Sequence, residues 1–143
     1  MWADTLLVAE RAHLHLLLLW GSASIGLGLL LLVTAGRLRR SPLIFHFAAQ
    51  SAVWGGIESA FAFSALRSLP LRDLGAATLL DRLLWLNLGL EIGYVAVGAT
   101  VAVSAWLLGR RYGGVGAGVA ITVQGLALFV LDARFLALLE RFV

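Results

Sequence analysis

The chain has 143 residues, of which 61% are apolar and 13% charged, with no cysteine and a formal net charge of +3. A soluble domain carries roughly a quarter of its residues as charged and just under half as apolar, so this chain lacks the polar residues to cover a water-facing surface. The missing cysteines exclude a disulfide framework, thiolate-bound zinc, iron–sulfur ligation and thiol redox chemistry.

The length suits one domain spanning residues 1–143, and the mean hydropathy of +0.95 makes that domain an all-α, integral membrane four-helix bundle by expectation. Every basic residue is an arginine. The pI near 10.6 raises nucleic acid as a partner. The arginines, however, sit at the ends of apolar runs, where anchoring and topology account for them better than a basic binding face. No nucleic acid partner is expected. The start, Met1-Trp-Ala-Asp4, carries an acid in place of a basic leader, and the first apolar run is too long for a cleaved signal, so none is expected.

A helix needs about 20 apolar residues to cross the hydrocarbon core. The first such run covers residues 12–35 and ends at the basic loop Gly36-Arg-Leu-Arg-Arg-Ser-Pro42, where Pro42 suits the first turn of the next helix. The second covers 43–66 and is broken by Ser68-Leu-Pro70. Residues 71–81 read as a short amphipathic connector, followed by a third run over 83–108. After Gly109-Arg-Arg-Tyr-Gly-Gly114 comes the fourth, 115–131. The tail keeps helical periodicity, with Phe135, Leu138, Leu139 and Phe142 on one side and Arg134 and Arg141 on another. It either extends the last helix or lies as a short amphipathic segment along the interface. Ten-residue alternation of the outer-membrane barrel kind is absent, so strands are not expected.

The loops after the first and third runs hold Arg37, Arg39, Arg40, Arg110 and Arg111 with no acid among them. The other side mixes its arginines with Asp4, Glu10, Asp73, Asp81, Asp132 and Glu140. The positive-inside rule then places the basic loops in the cytoplasm and both termini outside.

Polar side chains inside a bilayer are costly, so they face protein or water and find partners. Glu58 and Glu91 lie well inside the second and third runs, each about eight residues, or roughly 12 Å, from the outer end. Asn87, Glu91, Tyr94 and Gly98 form one stripe, and Gln124 lies near mid-depth on the fourth run. On the first run Arg11, His15, Ser22 and Gly26 share one face, while His13, Trp20, Ser24 and Gly28 share another. These placements predict an outward-facing polar pocket with Glu58 and Glu91 at its floor beside Asn87, Tyr94 and Gln124, and with Arg11, His15 and Asp132 near the mouth. Two close carboxylates call for a proton or a cation between them. The same groups also fit a plainer role, satisfying one another as helix–helix glue.

His46 belongs near the cytoplasmic end, about a bilayer thickness (~30 Å) from His13 and His15, so no site joins all three. His-x-His spacing on a helix sends the two rings to nearly opposite faces, and no metal site is expected. Gly26, Gly28, Gly55, Gly56, Gly89, Gly93, Gly98, Gly116, Gly118 and Gly125 predict tight helix packing, within the chain or in a homo-oligomer. Gly113-Gly-Val-Gly-Ala-Gly118 has no preceding strand and no lysine after it, and reads as a turn opening a helix rather than a phosphate loop.

Three stretches carry a family resemblance. They are Phe45-His-Phe-Ala-Ala-Gln-Ser-Ala-Val-Trp-Gly-Gly-Ile-Glu58, Leu86-Asn-Leu-Gly-Leu-Glu-Ile-Gly-Tyr94 and Val123-Gln-Gly-Leu-Ala-Leu-Phe-Val-Leu-Asp132. Together they resemble a family of small, uncharacterised bacterial four-helix membrane proteins classed as a domain of unknown function. Asn87, Glu91, Gly93 and Tyr94 match its Asn, acid and Gly-Tyr pattern. The resemblance implies the four-helix fold and a bacterial inner membrane as location, and no mechanism.

The leading functional expectation is a binding or accessory membrane protein taking a small cationic or polar ligand, with no cofactor. Next is a proton-coupled exporter of cationic compounds. A buried glutamate among four helices resembles the small multidrug resistance transporters, although those carry it on the first helix. An enzyme using Glu58 or Glu91 as base with His15 assisting lacks a nucleophile motif or metal triad. Haem binding through His15 or His46 completes the set.

Overall fold

Long apolar runs free of interior proline leave the backbone no partner but itself, and a helix satisfies every such group within one segment. A computed structural model describes residues 2–37 and 41–141. Its four helices are α1 (Trp2–Arg37), α2 (Pro42–Arg67), α3 (Leu74–Leu107) and α4 (Tyr112–Leu139), and no strand occurs among the described residues. Arg39 and Arg40 of the expected basic loop, and the side chain of Arg37, lie outside the described residues.

The boundaries have local causes. Pro42 opens α2 at its first turn, where its missing N–H is no loss. α2 ends at Arg67, ahead of Pro70. The Asp73 carboxylate accepts a hydrogen bond from the Ala76 N–H at 2.8 Å and so caps α3. At the far end Gly109 takes a φ of +105°, a left-handed conformation open to glycine. The turn it makes lets the Arg111 N–H reach the Ala105 carbonyl at 2.8 Å.

One expectation changes. The stretch 71–81 is not a separate amphipathic connector, because Asp73 starts α3 at Leu74 rather than near 83. Of the two forms expected for the C-terminal tail, the first is seen: α4 runs unbroken to Leu139, so the tail extends the last helix. Both stretches bury their apolar sides against each other and against the start of α1. Leu6, Ala77, Leu84, Leu88, Phe135, Leu136 and Leu139 form the main apolar core there. α1 is correspondingly long: 36 residues, or about 54 Å.

Elsewhere the usual distribution is inverted. Glu10, His13, Ser24, Ser51, Glu58, Glu91, Gln124 and Asp132 are buried, while Leu19, Leu30, Phe61, Leu107 and Val130 stand exposed. Large apolar surfaces on all sides mark contact with something other than water. α1, α3 and α4 are each long and apolar enough to cross a membrane. α2 is not among them by that measure of apolarity. Its 26 residues are sufficient in length, but His46, Gln50, Ser51, Glu58 and Ser59 dilute its apolarity.

α1 packs along α2 and α3 along α4, and α4 also meets α2 and, to a smaller extent, α1. The buried positions of α2, Ala48, Ser51, Gly55, Glu58 and Ala62, alternate steps of three and four, the spacing of a left-handed helix seam. Glycine brings these backbones together. A Cβ on Gly55 would strike the Gly21 carbonyl oxygen, and one on Gly98 would strike Thr122 and the Gly118 carbonyl. Gly28, Gly116, Gly118 and Gly125 are similarly enclosed, whereas Gly26, Gly56, Gly89 and Gly93 face open space. The glycines thus divide into those spent on this fold and those left outward. The backbones of α2 and α3 stay apart.

Candidate functional site

The gap between α2 and α3 forms a groove of about 470 Å³, within the usual range for a small-molecule pocket. Leu14 and Leu17 of α1 and Leu128 of α4 contribute apolar wall, as do Ile57, Phe61 and Leu90 on the flanking helices. Trp54 and Tyr94 reach across the gap with ring centres 5.3 Å apart. Into this apolar space come Glu58, Glu91, Asn87 and Asp132.

The acids differ in their surroundings. Glu58 is only 8% exposed, yet among the described residues neither of its carboxylate oxygens has a hydrogen-bond partner. A buried carboxylate left so is costly, and native structures seldom keep one without a use. Asp132 is fully engaged by contrast. Its Oδ1 lies 3.2 Å from His13 Nε2, and its Oδ2 accepts from Asn87 Nδ2 at 3.2 Å. His13 is held in turn by stacking on Phe135 at 4.4 Å. Glu91 lines the same groove as Asp132, and among the described residues its Oε2 has no partner. Carboxylates gathered in one apolar groove repel, and a proton or a cation among them relieves that repulsion. Among the described residues, three buried carboxylate oxygens of groove-lining acids are therefore unpartnered, two on Glu58 and one on Glu91.

Five of the eight predicted pocket residues line this groove: Glu58, Glu91, Asn87, Tyr94 and Asp132. Three do not. Gln124 is buried but occupied, accepting from Trp20 Nε1 at 2.7 Å and donating to Ser24 Oγ at 3.1 Å, which clasps α4 to α1. Arg11 and His15 are exposed on the outward side of α1, the face shared with Ser22 and Gly26. His13, on the other face, takes the place expected for them beside Asp132. His46 packs against Gly113 of α4, at the opposite end of the fold.

Sequence reasoning did not place His13 in the site, although the signal was present. Leu6, Glu10, His13, Gly21, Ser24 and Gly28 are all buried and follow the three–four rhythm of a packed seam. It also missed the ion pair above the groove. Arg72, in the α2–α3 connection, donates from Nε and Nη2 to Glu10 Oε2 and Oε1 at 2.7 and 2.5 Å. This bidentate bond holds the Arg72 guanidinium above its already high pKa. Glu10 is thus an acid on the first helix, but one with its charge already met. Among the described residues, no three His, Asp or Glu side chains converge as a metal site would require.

The family model for DUF6992, a family of unknown function, matches residues 16–133. The chain belongs to DUF6992. Neither the curated proteins nor the solved structures gave a match to it. The DUF6992 match contains all three resembling stretches and every groove-lining residue except Leu14. It begins after His13, Glu10 and the first turns of α1.

Proposed function

We propose that this DUF6992 protein is a four-pass membrane protein that binds a small cation in the α2–α3 groove. One observation carries the reading: Glu58 is buried in an apolar groove with both carboxylate oxygens unpartnered, beside the free Oε2 of Glu91. The inverted burial supports placement in a bilayer, with α2 shielding its polar side against α1 and α4. The arginines at 110 and 111 favour a cytoplasmic α3–α4 loop, so the groove's acids would lie nearer the outer face. A bacterial inner membrane fits that charge bias. The groove asks for a cation of modest size with some apolar body, because Trp54 and Tyr94 offer ring faces as well.

Calorimetry with benzylammonium on protein in phosphatidylcholine nanodiscs tests the reading. Wild-type protein is expected to bind, and Glu58→Gln to lose at least about tenfold in affinity through loss of a charge-assisted partner. Equal affinity in the two proteins would overturn it.

A second reading, a small proton-coupled exporter, is favoured by Asp132, which pairs with His13 of α1 and lines the groove together with Glu91. That placement would give a proton a path between α1 and the groove, so that a bound cation and a proton would exchange. In proteoliposomes an imposed pH gradient is then expected to drive ethidium flux in wild-type protein and not in Asp132→Asn. Absence of flux in wild-type protein would leave the binding reading alone.

A further inference from the structure

From the way the groove opens, we infer that its ligand is a membrane-dissolved alkylammonium, entering sideways between α2 and α3 with its apolar body left along the rim. This rests on the cation-binding reading above and adds the ligand's class and route. The backbones of α2 and α3 do not approach each other, so the groove has a lateral mouth. That mouth is edged by Ile57, Phe61 and Leu90, which are 45%, 74% and 47% exposed. A hydrophilic cation arriving from water would gain nothing from such a rim.

On the side of α1 and α4 the polar groups are already partnered, so they offer a cation no free acceptor. Asp132 is held by His13 and Asn87, and Glu10 by Arg72. The free oxygens lie on the mouth's own two helices, on Glu58 and Glu91. Charge and shape therefore select together: an ammonium for the acids, and a chain for the apolar rim. A headgroup ammonium is the less apt source. Glu58 lies nine residues before Arg67, so about 14 Å along the helix from its end, while a lipid headgroup stays at the interface.

The test compares methylammonium with octylammonium on protein in phosphatidylcholine nanodiscs, with empty discs subtracted. Octylammonium is expected to bind at least about tenfold tighter, since its methylenes leave water for the bilayer and carry it to the lateral mouth, where methylammonium does not concentrate. Phe61→Ser with Ile57→Ser should shrink that ratio, weakening octylammonium more than methylammonium. Both positions are exposed, so the fold should tolerate the change. Equal affinities for the two amines would overturn the lateral route and leave the cation site standing. Binding of neither amine would remove both, including the case of a dimer in which a second copy seals the groove. Competition by phosphatidylethanolamine added to the discs would make the source a headgroup and overturn the proposal.

Discussion

Glu58→Leu is expected to make the folded bundle more stable while removing its affinity for ammonium ligands. The wild-type side chain buries two carboxylate oxygens with no partner, which costs on the order of 1–3 kcal/mol relative to a satisfied or apolar group. Leucine fills a similar volume without that penalty. Asp132→Leu is expected to do the opposite. Asp132 accepts from Asn87 and is paired with His13, and His13 is itself buried. Losing the acid leaves both of those groups without their partner, at a cost of about 2 kcal/mol or more. Denaturant unfolding followed by circular dichroism in one detergent reads both changes. Opposite signs mark Glu58 as kept for binding and Asp132 as kept for structure. If Glu58→Leu destabilises as much as Asp132→Leu, the glutamate is helix–helix glue and the functional reading falls.

The second large effect concerns the enclosed glycines. Gly55→Leu and Gly98→Leu are each expected to cost about 3 kcal/mol or more, at the upper end of what overpacking does. In both places the obstructing atoms include backbone of the neighbouring helix, which cannot rotate aside as a side chain can. Gly55→Leu would part α1 from α2, and Gly98→Leu would part α3 from α4. Gly89→Ala is the control, since nothing lies within 4 Å of its added Cβ. It should be neutral, or stabilising by up to about 1 kcal/mol through helix propensity. Thermal unfolding of the three variants in the same detergent checks this. Equal losses at positions 55 and 89 would mean that the α1–α2 seam is not as close as described.

Much of this was legible in the sequence because apolar length and arginine-flanked loops are one-dimensional signals. The four helices, Pro42 at the start of α2 and the co-location of Glu58 with Glu91 all follow from run lengths and from counting residues inward. The first turns of α3 were harder. A cap at Asp73 extends a helix through a polar stretch, and hydropathy alone does not register it. Helix faces were harder again. In a largely apolar helix the core side is marked by small and polar residues instead of large ones, so Arg11 and His15 competed with His13 for the inner face. Spacing decides between them, because His13 keeps step with Glu10, Gly21 and Ser24 and His15 does not. Gln124 illustrates a different limit. Its burial was foreseeable, but its capture by Trp20 and Ser24 depends on which helices meet. The Glu10–Arg72 pair joins a helix to a loop 62 residues away, and nothing local announces it.

The central claim is that a cation belongs between Glu58 and Glu91. A high-resolution density map of the nanodisc-embedded protein, prepared with 4-iodobenzylammonium, tests it most directly. The account predicts density for the ammonium within hydrogen-bond distance of a Glu58 oxygen, with the iodine-bearing ring between Trp54, Tyr94 and the rim at Phe61. A groove filled by a lipid tail, with Glu58 turned to a protein partner, would contradict it.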